Sequence, residues 1–186
     1  HGQYDQAQEV CLSMLALVPE KQGEILYLLG QTWWRVGEID LAEQHFLQAT
    51  EFLASNDPML IRVYNELSFL DQSRGAWIGP YGSLIGWVGL LAKRKRMGEN
   101  QYLRRALGYC QKSLEVWERL EANFKNTPEG QNFWTHILDV QGMAYTAAGK
   151  FDQARVNHEL ITPKALGIDD KDAAGAAYNN LGLAYY

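Results

Sequence analysis

Three stretches of the chain carry the same punctuation, and an internal repeat of that kind constrains the fold before any single element is assigned. One runs Leu29, Gly30, Trp33, Trp34, Gly37, Ile39, Ala42, Phe46 and Ala49. Another runs Gly142, Tyr145, Gly149, Phe151 and Ala154, and a third keeps Gly2, Tyr4 and Ala7 before an apolar stretch that ends at Pro19. The order begins again at Tyr178, Asn179, Asn180, Leu181, Gly182 and Tyr185. Gly2 to Gly37 is 35 residues and Gly142 to Gly182 is 40.

The order has a physical reading. Gly30, Gly142 and Gly182 fall inside helical patterns, where glycine costs about 1 kcal/mol against alanine. Close approach of a neighbouring helix offsets that cost, with Trp33, Tyr145 and Tyr185 expected to fill the space beside the gap. Gly37 and Gly149 are expected to end the first helix in the left-handed conformation. Ala42 and Ala154 then permit close packing in a second helix, and Phe46 and Ala49 continue its buried stripe. Such a helix pair cannot bury its apolar faces alone, so copies stack. The predicted fold class is all-α.

This series resembles the tetratricopeptide repeat, nearly completely over residues 23–56 and well over 135–162, where His158 and Ile161 depart from the late motif positions. The resemblance implies a right-handed superhelical solenoid of antiparallel helix pairs. Residues 1–186 divide as one array: a partial repeat over 1–22, a repeat over 23–57, a divergent one over 58–134, a repeat over 135–174 and a partial one over 175–186. Residues 58–74 suit a first helix closed by Arg74 and Gly75, and a long helix is expected from Gln101 to Phe124. Between them Gly75, Gly79, Pro80, Gly82, Gly86 and Gly89 break the pattern. Residues 75–99 are either a glycine-rich insertion, with a short helix at 83–97, or a degenerate repeat helix. Helix parity favours the insertion. The chain begins at His1 without methionine and stops inside a helical pattern, so a fragment of a larger repeat protein is expected.

The resemblance also implies a function, namely binding a peptide or partner protein on the concave face lined by first helices. Projected from the repeat register, that face takes Tyr27, Gln31, Trp34 and Arg35, then Arg62, Asn65 and Phe69, then Asp139 and Met143, then Asn179 and Asn180. Aromatic and arginine anchors among polar neighbours suit a binding surface, and asparagine offers paired donor and acceptor contacts to a peptide backbone. A second reading is a ligand-sensing arm of a bacterial signalling or transcription regulator. Self-association through uncapped solenoid ends is a further expectation.

The stretch Tyr81–Arg96 joins an apolar run to four cations. Trp87 with Lys93, Arg94, Lys95 and Arg96 could meet an anionic membrane surface or an acidic partner; the alternative is a solvated helix end. Elsewhere acids prevail, and a net charge of −5 argues against nucleic acid. With 47% hydrophobic and 21% charged residues the composition is globular. No signal peptide or apolar run long enough for a bilayer is visible. Cys11 and Cys110 are expected to be reduced core residues, which fits a cytoplasmic setting. The four histidines form no ligand spacing with each other or with cysteine, Asp169, Asp170 and Asp172 lack the closing glutamate of a calcium loop, and no phosphate loop or nucleophile motif stands out. Neither catalysis, a metal nor a cofactor is expected.

Overall fold

In a computed structural model of the chain, residues 2–75 and 101–167 are described, together with Tyr178, Asn180, Gly182 and Tyr185. Residues 75–99, the short helix at 83–97 and the basic apolar segment therefore fall almost wholly outside the described residues, as do Asn179 and the aspartates at 169–172. Helix α1 spans Gly2–Leu17, and a 3-10 turn over Pro19–Lys21 leads to α2, Gln22–Val36. Then come α3 (Ile39–Phe52), α4 (Met59–Gly75), α5 (Gln101–Arg119), the single turn α6 (Ala122–Lys125), α7 (Pro128–Ala147) and α8 (Phe151–Gly167). The described residues contain no strand. The fold class is all-α, and no described helix is long and apolar enough to cross a membrane.

Local chemistry sets the helix ends. Gly37 and Gly149 are the described glycines with positive φ, at 90° and 72°. Each follows a helix and supplies the left-handed residue that lets the next helix fold back. Asp57 accepts the Met59 N–H at 2.8 Å to open α4, and Thr127 accepts the Gly130 N–H at 3.0 Å to open α7. The long helix expected to reach Phe124 stops at Arg119 instead. Leu120 is buried there and Glu121 is extended, so the chain breaks before α6 restarts it.

The described helices pack in pairs. Gly23 faces Leu53 and Gly30 faces Phe46, so α2 and α3 run antiparallel. Gly75 faces Leu103, Ser68 meets Cys110 and Asn65 meets Ser113, so α4 and α5 run antiparallel although distant in sequence. Gly142 faces His158 in the α7–α8 pair. A methyl group on Gly30 would lie 2.5 Å from the Phe46 ring, and one on Gly142 would lie 2.5 Å from the His158 ring. The partner ring on the following helix, rather than Trp33 or Tyr145, thus fills the gap left by each glycine. Trp33 is half-buried and its indole N–H is enclosed without a hydrogen bond.

The largest apolar cluster joins α2, α3 and α4 through Leu29, Phe46, Ala49, Val63, Leu67 and Leu70. A second joins α4, α5 and α7 through Ile61, Val116, Phe133 and Ile137. Helix α4 belongs to both, which makes it the central element. Polar groups follow the same seams. Ser113 donates to Asn65 Oδ1 at 2.9 Å, and Gln72 donates to Ser68 at 3.1 Å and to the Val140 carbonyl at 3.3 Å. At the edge near residue 75, Arg74 pairs with Asp40 and Glu43, while Arg105 pairs with Glu43 and, at 3.1 Å, with Asp71. Burial pushes the Glu43 carboxyl up, but the hydrogen bonds from Arg74 and Arg105 outweigh it and hold the group below its usual range. Cys11 and Cys110 are both free and buried.

Candidate partner-binding face

Helices α2, α4 and α7 lie side by side in the same direction and in constant register. Gln31 meets Glu66 and Trp34 meets Phe69, in each case 35 residues on. Arg62 sits 5.0 Å from the Phe133 ring centroid, and Asn65 meets His136 at 3.0 Å, in each case 71 residues on. One surface of the three helices is thereby assembled from equivalent positions. The sequence places helical faces there because Ile25, Leu29, Leu67, Ile137 and Ala144 turn their apolar sides inward.

A polar ladder runs across this face. Gln31 Nε2 donates to the Tyr27 hydroxyl at 2.8 Å and approaches Glu66 Oε1 at 3.3 Å. Burial, then the Glu66 charge and hydrogen bond against an opposing Arg62, push the Tyr27 phenol up to about 12, so it stays protonated. Further along, Asn180 Nδ2 donates to Asp139 Oδ1 at 3.0 Å, tying the segment containing Tyr178 and Asn180 to α7. Asp139 Oδ1 also lies 3.9 Å from Nδ1 of His158, beyond hydrogen-bonding distance.

The structure brings most of the sequence-derived residues together but changes the role of two. Tyr27 is buried at 7% exposure and Asn65 at 1%, so neither projects from the face as the helical register suggested. Asn65 is committed on both sides of its amide: its NH₂ donates to His136 Nδ1, which places the neutral ring's proton on Nε2, and its carbonyl oxygen accepts from Ser113. The physical reason is the approach of α5 and α7 to α4, which encloses that position. Trp34 is half-buried, edge-on to Phe69 with ring centroids 5.8 Å apart. Gln31, Asp139 and Met143 are half-buried, Arg35 and Arg62 exposed, and Asn180 half-buried. Asn179, Trp87, Lys93, Arg94, Lys95 and Arg96 lie outside the described residues. Sequence reasoning left out Glu66, which accepts from Gln31 and is bonded to Tyr27. Its signal was available, since Glu66 stands 35 positions after Gln31.

Chemically the face offers hydrogen-bond donors and acceptors at regular intervals rather than a reactive pair. Among the described residues no group of three His, Cys, Asp or Glu could hold a metal ion. Neighbouring helix axes are about 8–10 Å apart, and an extended peptide advances about 3.3 Å per residue. A peptide crossing from α2 to α7 would therefore meet each helix about every third residue. No protein-family model matches the chain, and no curated protein matches it. What the face does is read from this chain's own residues.

Proposed function

We propose that the chain is a tetratricopeptide-like solenoid of antiparallel helix pairs that binds an extended peptide or a partner protein across α2, α4 and α7. The observation that carries this reading is the constant register: hydrogen bonds and ring contacts join residues 35 apart between α2 and α4, and 71 apart between α4 and α7. Repetition at that interval turns single polar positions into a row. Gln31, Arg62, Glu66, His136, Asp139 and Asn180 make up the polar part of the row, with Trp34 and Phe69 as its apolar anchor. Glutamine and asparagine each present a donor and an acceptor, which suits a peptide backbone, while Arg62, Glu66 and Asp139 select charged side chains.

The test is selection of a displayed random-peptide library on the immobilised chain, followed by binding to a Gln31→Ala, Arg62→Ala, Asp139→Ala variant of matched helicity. Peptides retained by the wild type should lose at least about tenfold in affinity for the variant. Equal affinity for both proteins would reject the face as the site.

A further inference from the structure

His136 is exposed on α7, and a buried side chain holds it from behind. Asn65 of α4 is only 1% exposed, and its Nδ2 lies 3.0 Å from His136 Nδ1. The opposite end of the same amide is fixed by α5, whose wholly buried Ser113 donates to Asn65 Oδ1 at 2.9 Å. Three helices thus meet in one chain of hydrogen bonds, which runs outward from Ser113 through Asn65 to the imidazole.

A hydroxyl has one proton to give, and this sets the direction of the chain. The Ile61 carbonyl, a second acceptor near Ser113, lies at 3.5 Å, so the shorter contact to Asn65 takes the proton. Turning the amide over would set its NH₂ against Ser113 and leave the hydroxyl only that longer contact. With Oδ1 directed at Ser113, the amide hydrogens belong to the other end, and His136 Nδ1 accepts. A protonated ring would set an N–H against the Asn65 NH₂, so the imidazole is neutral with its proton on Nε2. Nδ1 is thereby occupied from below, and among the described residues no hydrogen bond takes the Nε2 proton. The Nε2 edge is the side of the ring left for a ligand.

We propose that Asn65 and Ser113 are positioning residues that present His136 to a bound peptide as a fixed hydrogen-bond donor, and that its Nε2–H takes a backbone carbonyl of the peptide. This rests on the reading of the α2–α4–α7 face as a peptide-binding row. A carbonyl, rather than a carboxylate, follows from the charges that bear on the ring. Glu66 of α4 and Asp139 of α7 outnumber Arg62 of α4 there. A donor amid excess negative charge favours a neutral acceptor over an anion. A ring free to change tautomer would offer a donor and an acceptor by turns. One held by Asn65 discriminates between them and needs no reorganisation when the peptide arrives. Asn65 thus serves the ligand through the neighbouring helix, not by direct contact.

Long-range proton–nitrogen spectra of the chain with labelled histidine rings, near neutral pH, test the positioning without any peptide. The His136 signals are assigned by their loss in His136→Gln, and the expected result is a proton on Nε2. Ser113→Ala frees the amide to turn and should give a mixture of the two tautomers. Asn65→Asp, which offers only acceptors when ionised, should move the proton to Nδ1. Both variants are checked for native helicity by circular dichroism, and Ser113→Ala alone decides if Asn65→Asp does not fold. The donor role is read with a library-selected peptide. His136→Gln keeps a side-chain N–H donor and should hold affinity within about threefold, whereas His136→Leu should lose about fivefold to tenfold. A ring protonated on Nδ1 in the free chain, or a tautomer that these variants leave unchanged, would overturn the positioning while the row still stands. Equal losses in His136→Gln and His136→Leu would overturn the donor role. Equal affinity of the wild type and the Gln31→Ala, Arg62→Ala, Asp139→Ala variant would reject the row, and the carbonyl contact with it, whatever the tautomer.

Discussion

His158 occupies the place on Gly142 that Phe46 occupies on Gly30, at the same spacing along the chain. Its imidazole is fully buried, and neither ring nitrogen has a hydrogen bond. Leaving such a group unsatisfied costs about 1–3 kcal/mol. His158→Phe should therefore stabilise the protein by about that amount, measured by urea denaturation at pH 7. Burial, opposed by Asp139, holds the His158 pKa below the ordinary 6.5. Below about pH 6.5 the unfolded chain then takes up a proton that the folded chain refuses, so stability falls as pH falls. That part of the pH dependence should vanish in His158→Phe. The glycines give a matched contrast. Gly30→Ala drives a methyl group into the buried Phe46 ring and should cost about 1–3 kcal/mol. Gly108→Ala, where nothing lies within 4 Å, should gain up to about 1 kcal/mol from helix propensity. If both changes shift the urea midpoint alike, close packing is not what glycine serves at position 30.

Among the elements, α3, α4 and α5 meet at a cluster of charge that carries its own pH signature. Burial raises the Asp71 carboxyl to about 6, although Arg105 and Arg74 oppose the rise and Glu43 adds to it. The folded chain thus keeps a proton that the unfolded chain releases between about pH 4 and 6, and stability falls as pH rises through that window. Asp71→Asn should remove that slope in a pH series of urea midpoints; a slope that persists would show that the two arginines keep Asp71 ionised. The element level is also where the sequence was most legible. Gly37 and Gly149 announced helix ends because a left-handed residue has few substitutes, and Ala42, Phe46 and Ala49 announced a buried stripe because helical spacing admits few others. Other features were hidden. The filling of the Gly30 and Gly142 gaps by rings from the next helix, the break at Leu120, and the pairing of Arg105 with Glu43 and Asp71 all depend on which helix comes near. Arg105 lies against carboxylates contributed by two other helices, which its place in the sequence does not show.

At the scale of the whole molecule, stability should grade from the centre outward. Helix α4 buries Leu60, Ile61, Val63, Leu67 and Leu70 in the two main clusters, whereas among the described residues of α1 Cys11 alone is buried. Hydrogen exchange in dilute solution should therefore be slowest in α4 and faster in α1 than in α2 or α3. The candidate face was legible in part for the same reason. Projecting the repeat register placed Gln31, Trp34, Arg62, Phe69 and Asp139 on one surface, but register alone could not show that α5 and α7 enclose Asn65. The central claim is that equivalent positions on α2, α4 and α7 form one continuous binding row. The most direct test is amide chemical-shift mapping of a library-selected peptide titrated into the labelled chain. The row predicts the largest perturbations around Gln31, Arg62, Glu66, His136 and Asp139 together, on all three helices. Perturbations confined to α1, α5 or α8, or to residues 76–100, would contradict it.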